Sequence, residues 1–352
     1  MNRSQITDVN QLSSNSSSSW RDEAIKGAQI TATLIIFLVG VPLNGLVVWV
    51  LGLRGKRHLR RRGSREETRT ASSFRVYVLN LALSDLVLLL RTPLMLFYLG
   101  NNYSWPLGRV CCLLVMFLRG LGLYASAFLV CAVALERCLC LLRPVWAHLK
   151  RPSWAVPLAC GLMWVLATVL SAPYFSSAVV MTMSGKEQCL ESGEFNIGLF
   201  VTETLAGFVF PLIMFLGSNL AVLFTIRQAG PPTPTSSSPS MARRMSRMYH
   251  VLFITMLMFL TCWVPYFVCR FLKALAVGRP NKMALFIGAS RGAYVSLYLV
   301  YIKCALNPVL YVFAARGLSK AVKASLISTI ERLFNDESSE SIRRKSLKNS
   351  QM

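Results

Sequence analysis

The sequence predicts an all-α fold: a bundle of seven transmembrane helices with a short amphipathic interfacial helix after the seventh span. Three observations predict it. The chain is 54% hydrophobic and only 15% charged, whereas a soluble domain carries roughly 25% charge. Seven apolar runs are each long enough to cross the hydrocarbon core, which takes about 20 residues. The basic residues behind the net charge of +23 cluster between those runs and in the tail, in "RGKRHLRRRGSR" (54–65), "RPVWAHLKR" (143–151), "ARRMSR" (242–247) and "RRKSLK" (343–348). That is the pattern of cytoplasmic flanks, which sit well against an anionic inner leaflet. It argues against nucleic acid as the partner of so much positive charge.

Residues 1–27 form a polar, Ser-rich N-terminal tail without the apolar core of a signal peptide, so the first span is expected to insert and stay. The spans follow at about 28–53, 76–100, 110–142, 154–175, 196–227, 248–276 and 287–313. Lipid forces each to be a helix, because every backbone polar group must be paired internally. Pro42, Pro93, Pro157, Pro173, Pro211, Pro265 and Pro308 lie in or near these runs. Each removes a backbone bond and favours a bend. The joints 54–75 and "AGPPTPTSSSPS" (229–240) are the long ones, the second a flexible linker by composition. Seven crossings put the termini on opposite sides, and the basic joints place the N-terminus outside. Glycosylation sequons at Asn2 and Asn15 agree, and a third at Asn102 lies close to the membrane.

After residue 313, "RGLSKAVKASLISTIERLF" sets Leu318, Val322, Leu326 and Leu333 near one face. Residues 314–334 therefore read as a helix lying on the inner leaflet, and 335–352 as a disordered cytoplasmic tail. Serines beside acids in that tail suit phosphorylation, or simple solubility. Most of the ten cysteines fall inside apolar runs, where Cys behaves as a small hydrophobe. Three histidines, with no metal-ligand cluster and no phosphate loop, leave little for an enzyme, a metal or a cofactor.

The spans carry motifs in order: "LNGLVV" with Asn44, "LALSD" with Asp85, "LERC" with Glu136 and Arg137, Trp164, Pro211, "FLTCWVP" and "NPVLY". Together, across nearly the whole chain, they resemble the rhodopsin-like (class A) G-protein-coupled receptors. "NYSWPLG", "LYAS", "RCLCLLRPVWA", "ETLAGFVFP" and "NPVLYVF" look like the chemoattractant group within them. The closest resemblance is to leukotriene B4 receptors, with formyl-peptide and prostaglandin D2 type-2 receptors beside them. The resemblance implies a plasma-membrane receptor without enzymatic activity. It would bind an acidic lipid mediator, or else a peptide chemoattractant, and engage a heterotrimeric G protein of the inhibitory class. Arrestin would meet the phosphorylated tail. It also implies a disulfide between Cys112 and Cys189, with Cys111 as the alternative partner. A weakly signalling scavenger is a further possibility, favoured by Asn219 where many relatives carry a tyrosine. A multi-pass transporter would show inverted repeats with broken midplane helices, which the hydropathy pattern lacks.

Charges within the spans are costly, about 2.5–3.5 kcal/mol each at a helix centre, and default to functional roles. Lys303 is one turn from Asn307 on the same face. That face and Asp85 line, in the family, a polar pocket that often holds sodium, near Ser126 and Asn307. The expectation is that the Lys303 ammonium takes the cation's place and pairs with Asp85. The alternative has Lys303 snorkelling along lipid. Trp263, above the Pro265 bend, and Tyr311 complete the family's switch. Glu136 is expected to clamp Arg137 until activation frees it for the G protein, unless the pair merely neutralises a helix end. Arg119 precedes Arg137 by 18 residues, five full turns, so it faces the same way near the outer end. Arg91, Arg119, Arg270 and Arg291, with Glu203, are expected to leave a net positive cavity for a carboxylate. Tyr98, Leu123, Tyr266 and Tyr294 would line it with apolar surface. The competing reading pairs Arg119 with Glu203 internally.

Overall fold

The computed structural model describes residues 3–54, 67–143, 145–146, 150–183, 185–191, 196–228 and 239–314. Seven helices are long and apolar enough to cross a membrane: Trp20–Gly52, Arg75–Gly100, Gly108–Cys140, Ala155–Ser177, Ile197–Thr225, Leu257–Ala276 and Pro280–Val309. They are called here the first to seventh spans, and they agree with the seven expected runs to within a few residues at most ends. The first helix is longer than its span, running Arg3–Val48. It takes in the polar stretch expected as a separate tail, consistent with the low cost of extending a helix that is already nucleated. Residues 315–334, the rest of the expected interfacial helix, and the tail 335–352 lie outside the described residues, as do Asn2 and the side chains of Asn15, Arg137 and Tyr311.

Burial follows the logic of lipid as solvent. The fourth span turns Leu158, Leu162, Val165 and Val169 outward on one helical face, spaced as a single apolar stripe. Polar side chains turn inward instead. Asn44 donates to the Gly40 and Cys304 carbonyls at 2.9 and 3.0 Å, tying the first span to the seventh. Trp164 donates to Asn80 at 3.0 Å, tying the fourth to the second. The third span is the central pillar, and Gly120 explains one close approach to it. A Cβ there would stand 2.6 Å from the Tyr174 ring, a distance real contacts do not show, so this ring depends on glycine.

Prolines mark breaks in three spans, the fourth at Pro173 between helices Ala155–Ser171 and Tyr174–Ser177. In the second, helix Glu67–Leu89 gives way to helix Thr92–Gly100. Pro93 has no N–H for the Leu89 carbonyl, and the Thr92 hydroxyl takes that place at 2.5 Å. The break sets Arg91 at the joint. In the fifth, a π-helical turn Leu205–Val209 lies just before Pro211, where a wider turn relieves the proline clash. By contrast the helix Pro239–Ala276 runs on through Pro265.

An element outside the all-α expectation sits between the fourth and fifth spans. Strands β1 (Ala178–Met183) and β2 (Lys186–Glu191) form an antiparallel hairpin, with Val180 opposite Cys189. Gly185 supplies a positive φ of 74° near its turn. The loop between the second and third spans docks on it, with the Trp105 amide donating to the Glu187 carbonyl at 2.7 Å. Cys112 and Cys189 form a disulfide that staples the hairpin to the third span, as the resemblance implied, while Cys111 is free.

Candidate ligand site and polar core

The hairpin decides what the bundle's mouth looks like. Side chains two apart in a strand share a face. Cys189 reaches the third span, so Glu191 points the same way, into the bundle. There its carboxylate meets two guanidinium groups. Arg270 donates to Glu191 twice, at 3.0 and 3.4 Å, and Arg119 donates to it at 3.5 Å. Burial alone would raise the Glu191 pKa, but Arg119 and Arg270 hold it below the usual carboxylate range.

Beneath Glu191 lies Glu203, on the fifth span. Its carboxylate accepts from the Tyr174 hydroxyl at 3.0 Å and the Tyr266 hydroxyl at 2.6 Å, and it pairs with Arg270. Arg119 donates to the Tyr266 hydroxyl at 3.1 Å and lies over the Tyr174 ring, 5.0 Å from its centroid. The network is thus two arginines, two glutamates and two tyrosine hydroxyls, mutually bonded as buried charges require.

Three expectations are corrected here. Glu191 and Glu203 balance Arg119 and Arg270, so those two arginines supply no net positive charge. Arg119 is not paired directly with Glu203; it reaches that carboxylate through Tyr266. Arg291 is exposed and makes no hydrogen bond or ion pair with the cluster among the described residues. Of the expected lining, Leu123 and Tyr266 are buried in the core, whereas Tyr98 packs against Trp105 and Tyr103 beside the hairpin. Glu191 and Tyr174 escaped the sequence reading. A strand register anchored on Cys189 would have found Glu191.

Lys303 is inside, at 1% exposure, so it does not snorkel. It does not form the expected ion pair either. Its ammonium donates to Ser126 at 3.2 Å and lies 5.9 Å from the centroid of the Trp263 indole. Asp85 accepts from Asn307 at 2.7 Å, and its other oxygen has no partner among the described residues. The ammonium and carboxylate share this polar core without direct contact. Trp263 is fully buried against Phe259, Tyr266 and Phe267. It therefore connects the Lys303 layer to the Arg119–Arg270 layer.

At the far end of the third span, Glu136 has a partner the sequence reading did not assign. Arg151, just before the fourth span, donates to Glu136 at 2.5 Å and to Ser73 at 2.5 Å. Both members of the ion pair are nearly buried, at 3% and 7% side-chain exposure. The expected clamp between Glu136 and Arg137 involves a side chain outside the described residues.

Seven spans with these motifs in register match one family. Residues 43–311 match the "7 transmembrane receptor (rhodopsin family)". The chain belongs to that family. It is a multi-pass plasma-membrane receptor of the chemoattractant type, with a ligand and a G protein as partners, and not an enzyme. The receptor is 30% identical to the C5a anaphylatoxin chemotactic receptor 1 of Oncorhynchus mykiss over 318 residues, covering 89% of this chain and 83% of the relative. It is 28% identical to the prostaglandin D2 receptor 2 of Rattus norvegicus, covering 86% and 72% of the two chains. It is 25% identical to the C3a anaphylatoxin chemotactic receptor of Danio rerio, covering 92% and 82%.

Proposed function

We propose that this receptor recognises an acidic mediator through a carboxylate that displaces Glu191 from Arg119 and Arg270. One observation carries the reading. Both arginines converge on a carboxylate that arrives on a loop, and Glu191 is the more accessible acid, its side chain 23% exposed against 3% for Glu203. A ligand carboxylate placed there reproduces the two parallel bonds Arg270 already makes. Below the network the core is apolar, with Leu123, Phe208 and Phe267 packed in it, and an acyl chain or ring system that moved in among them would meet such surface, which favours a leukotriene- or eicosanoid-like lipid. Because Glu203 stays in place, the exchange leaves the charge of the site unchanged.

A second reading, a peptide bound by its C-terminal carboxylate, is favoured by relatives named as C5a and C3a anaphylatoxin receptors. The same arginines would serve.

On this reading the N-terminus is extracellular, supported by the basic joints, the sequons and a disulfide-bearing hairpin, since disulfides persist in oxidising surroundings. Trp263 would pass the displacement of Glu191 down to Lys303, Asp85 and Asn307, with Tyr311 and Arg137 completing the active state toward an inhibitory-class G protein. The Lys303 ammonium serves as a built-in cation in a pocket that sodium often fills in relatives. Arrestin would read the tail. The test is a cyclic-AMP assay in transfected cells, screened with leukotrienes, prostaglandin D2, other oxidised fatty acids, formyl peptides, C5a and C3a. A response to an acidic lipid that vanishes in Arg119→Gln is expected. Responses only to ligands without a carboxylate would refute the reading.

A further inference from the structure

The bundle holds a buried guanidinium that neither the Glu191 network nor the Glu136–Arg151 pair uses. Arg91 sits at the break in the second span and is 5% exposed. Among the described residues no carboxylate lies within ion-pairing distance of it. Its described hydrogen bond is to the Tyr301 hydroxyl, and its Nε is buried without a partner. A guanidinium carries five donors and no acceptor, so one hydroxyl leaves most of its capacity unmet. Taking such a charge out of water without an anion is expensive.

Beside Arg91 is a partly open cavity of about 50 Å³, bordered by the first, second and seventh spans. Thr33, Tyr294, Tyr298 and Tyr301 bring hydroxyls to its wall; Ile36, Met95 and Leu297 bring apolar surface. Three of those hydroxyls already form a chain, Thr33 to Tyr298 at 3.3 Å and Tyr298 to Tyr294 at 3.4 Å. That volume is the space open to the centre of a water-sized sphere, of which one water needs about 10–15 Å³, so it admits a few waters or one small anionic group and not a whole lipid. A flat anion facing a guanidinium edge and hydroxyl donors is best matched by a carboxylate.

We propose that this cavity is a second anion site of the receptor, which takes a single carboxylate on Arg91. The carboxylate belongs either to a short monocarboxylic acid or to the head of a fatty acid whose chain leaves through the open side. The site is independent of Arg119 and Arg270, so it stands or falls apart from the ligand reading above.

The test is thermal unfolding of the purified full-length receptor in nanodiscs, with sodium acetate, octanoate or palmitate, and sodium chloride as the comparison. A carboxylate is expected to raise Tm in a saturable way. Arg119→Gln should keep the shift, while Arg91→Gln and the cavity-filling Leu297→Phe should lose it. An effect equal for acetate and octanoate identifies short acids as the source; one growing with chain length identifies a lipid head; both support the site. No shift with any carboxylate, a shift that chloride matches, or one that survives Leu297→Phe overturns it. Leu297→Phe leaves the cation in place, so it decides alone if Arg91→Gln does not fold.

Discussion

Arg270 grips Glu191 with two parallel hydrogen bonds, at 3.0 and 3.4 Å, across the junction between the sixth span and the loop hairpin. The same arginine also pairs with Glu203. Arg119 shares Glu191 by one longer contact and reaches Glu203 indirectly, through the Tyr266 hydroxyl and the Tyr174 ring. The two arginines are therefore unequal, and substituting them should have different consequences.

Arg119→Gln leaves every carboxylate with a remaining guanidinium. The receptor should reach the surface, and an acidic agonist should lose about 100-fold in affinity, roughly 2.7 kcal/mol. Arg270→Gln strips Glu203 of its ion pair inside the bundle, where a broken buried pair costs about 3–5 kcal/mol. Surface expression of that variant should fall sharply. Flow cytometry and radioligand binding measure both; equal behaviour of the two variants would contradict the unequal wiring.

The Glu136–Arg151 pair makes a second, separate expectation. Arg151→Ala leaves Glu136 buried and strips a bond from Ser73. Thermal stability should drop and basal G-protein signalling should rise, because the end of the third span loses its tie to the joint before the fourth. Basal cyclic-AMP levels in the absence of ligand provide the readout. A silent, equally stable Arg151→Ala receptor would remove this pair from the resting state.

Lys303 sets its side-chain nitrogen on the Ser126 hydroxyl, in the polar core it shares with Asp85. Agonist affinity of the unmodified receptor should be insensitive to exchanging sodium for N-methylglucamine at constant ionic strength. Lys303→Asn should introduce a sodium dependence of several-fold. A strong sodium effect on the unmodified receptor would mean that the ammonium does not stand in for the ion.

The acid–base behaviour of Glu191 follows from its lowered pKa. A carboxylate depressed by folding contributes stability that is fully present above the unfolded value, about 4.3 for Glu. That contribution is lost only as pH falls through the still lower folded value. Between pH 5.5 and 8 the Glu191 contacts should not change, so hairpin docking should be flat over that window. Hydrogen exchange of β2 amides, corrected for the intrinsic pH dependence of exchange, checks it. A protection factor that falls between pH 7 and 5.5 would show that Glu191 titrates above the usual carboxylate range, and so that its pKa is raised and not lowered.

Much of this architecture was legible in the sequence, because lipid imposes simple rules. Long apolar runs must be helices, and the inward placement of Asp85, Lys303, Glu203, Arg119 and Arg270 followed from helical spacing and the family motifs. What escaped was pairing. Helical periodicity gives a direction and not a partner, so Lys303 was matched to Asp85 when its ammonium reaches Ser126. The same holds for Glu136, whose partner Arg151 is 15 residues away across a joint. Glu191 escaped for a further reason. It lies on a short hairpin whose strand period of two is brief beside the long helical runs, though "VVMTM" and the following Ser-Gly carry strand and turn signals.

The exchange of Glu191 for a ligand carboxylate is tested most directly by comparing one acidic agonist with its methyl ester on the unmodified receptor and on Glu191→Gln. Removing the resident charge should tighten binding of the free acid about tenfold, roughly 1.4 kcal/mol, and leave the ester unchanged. An acid that binds Glu191→Gln no better than the unmodified receptor, or an ester that gains as much as the acid, would contradict it.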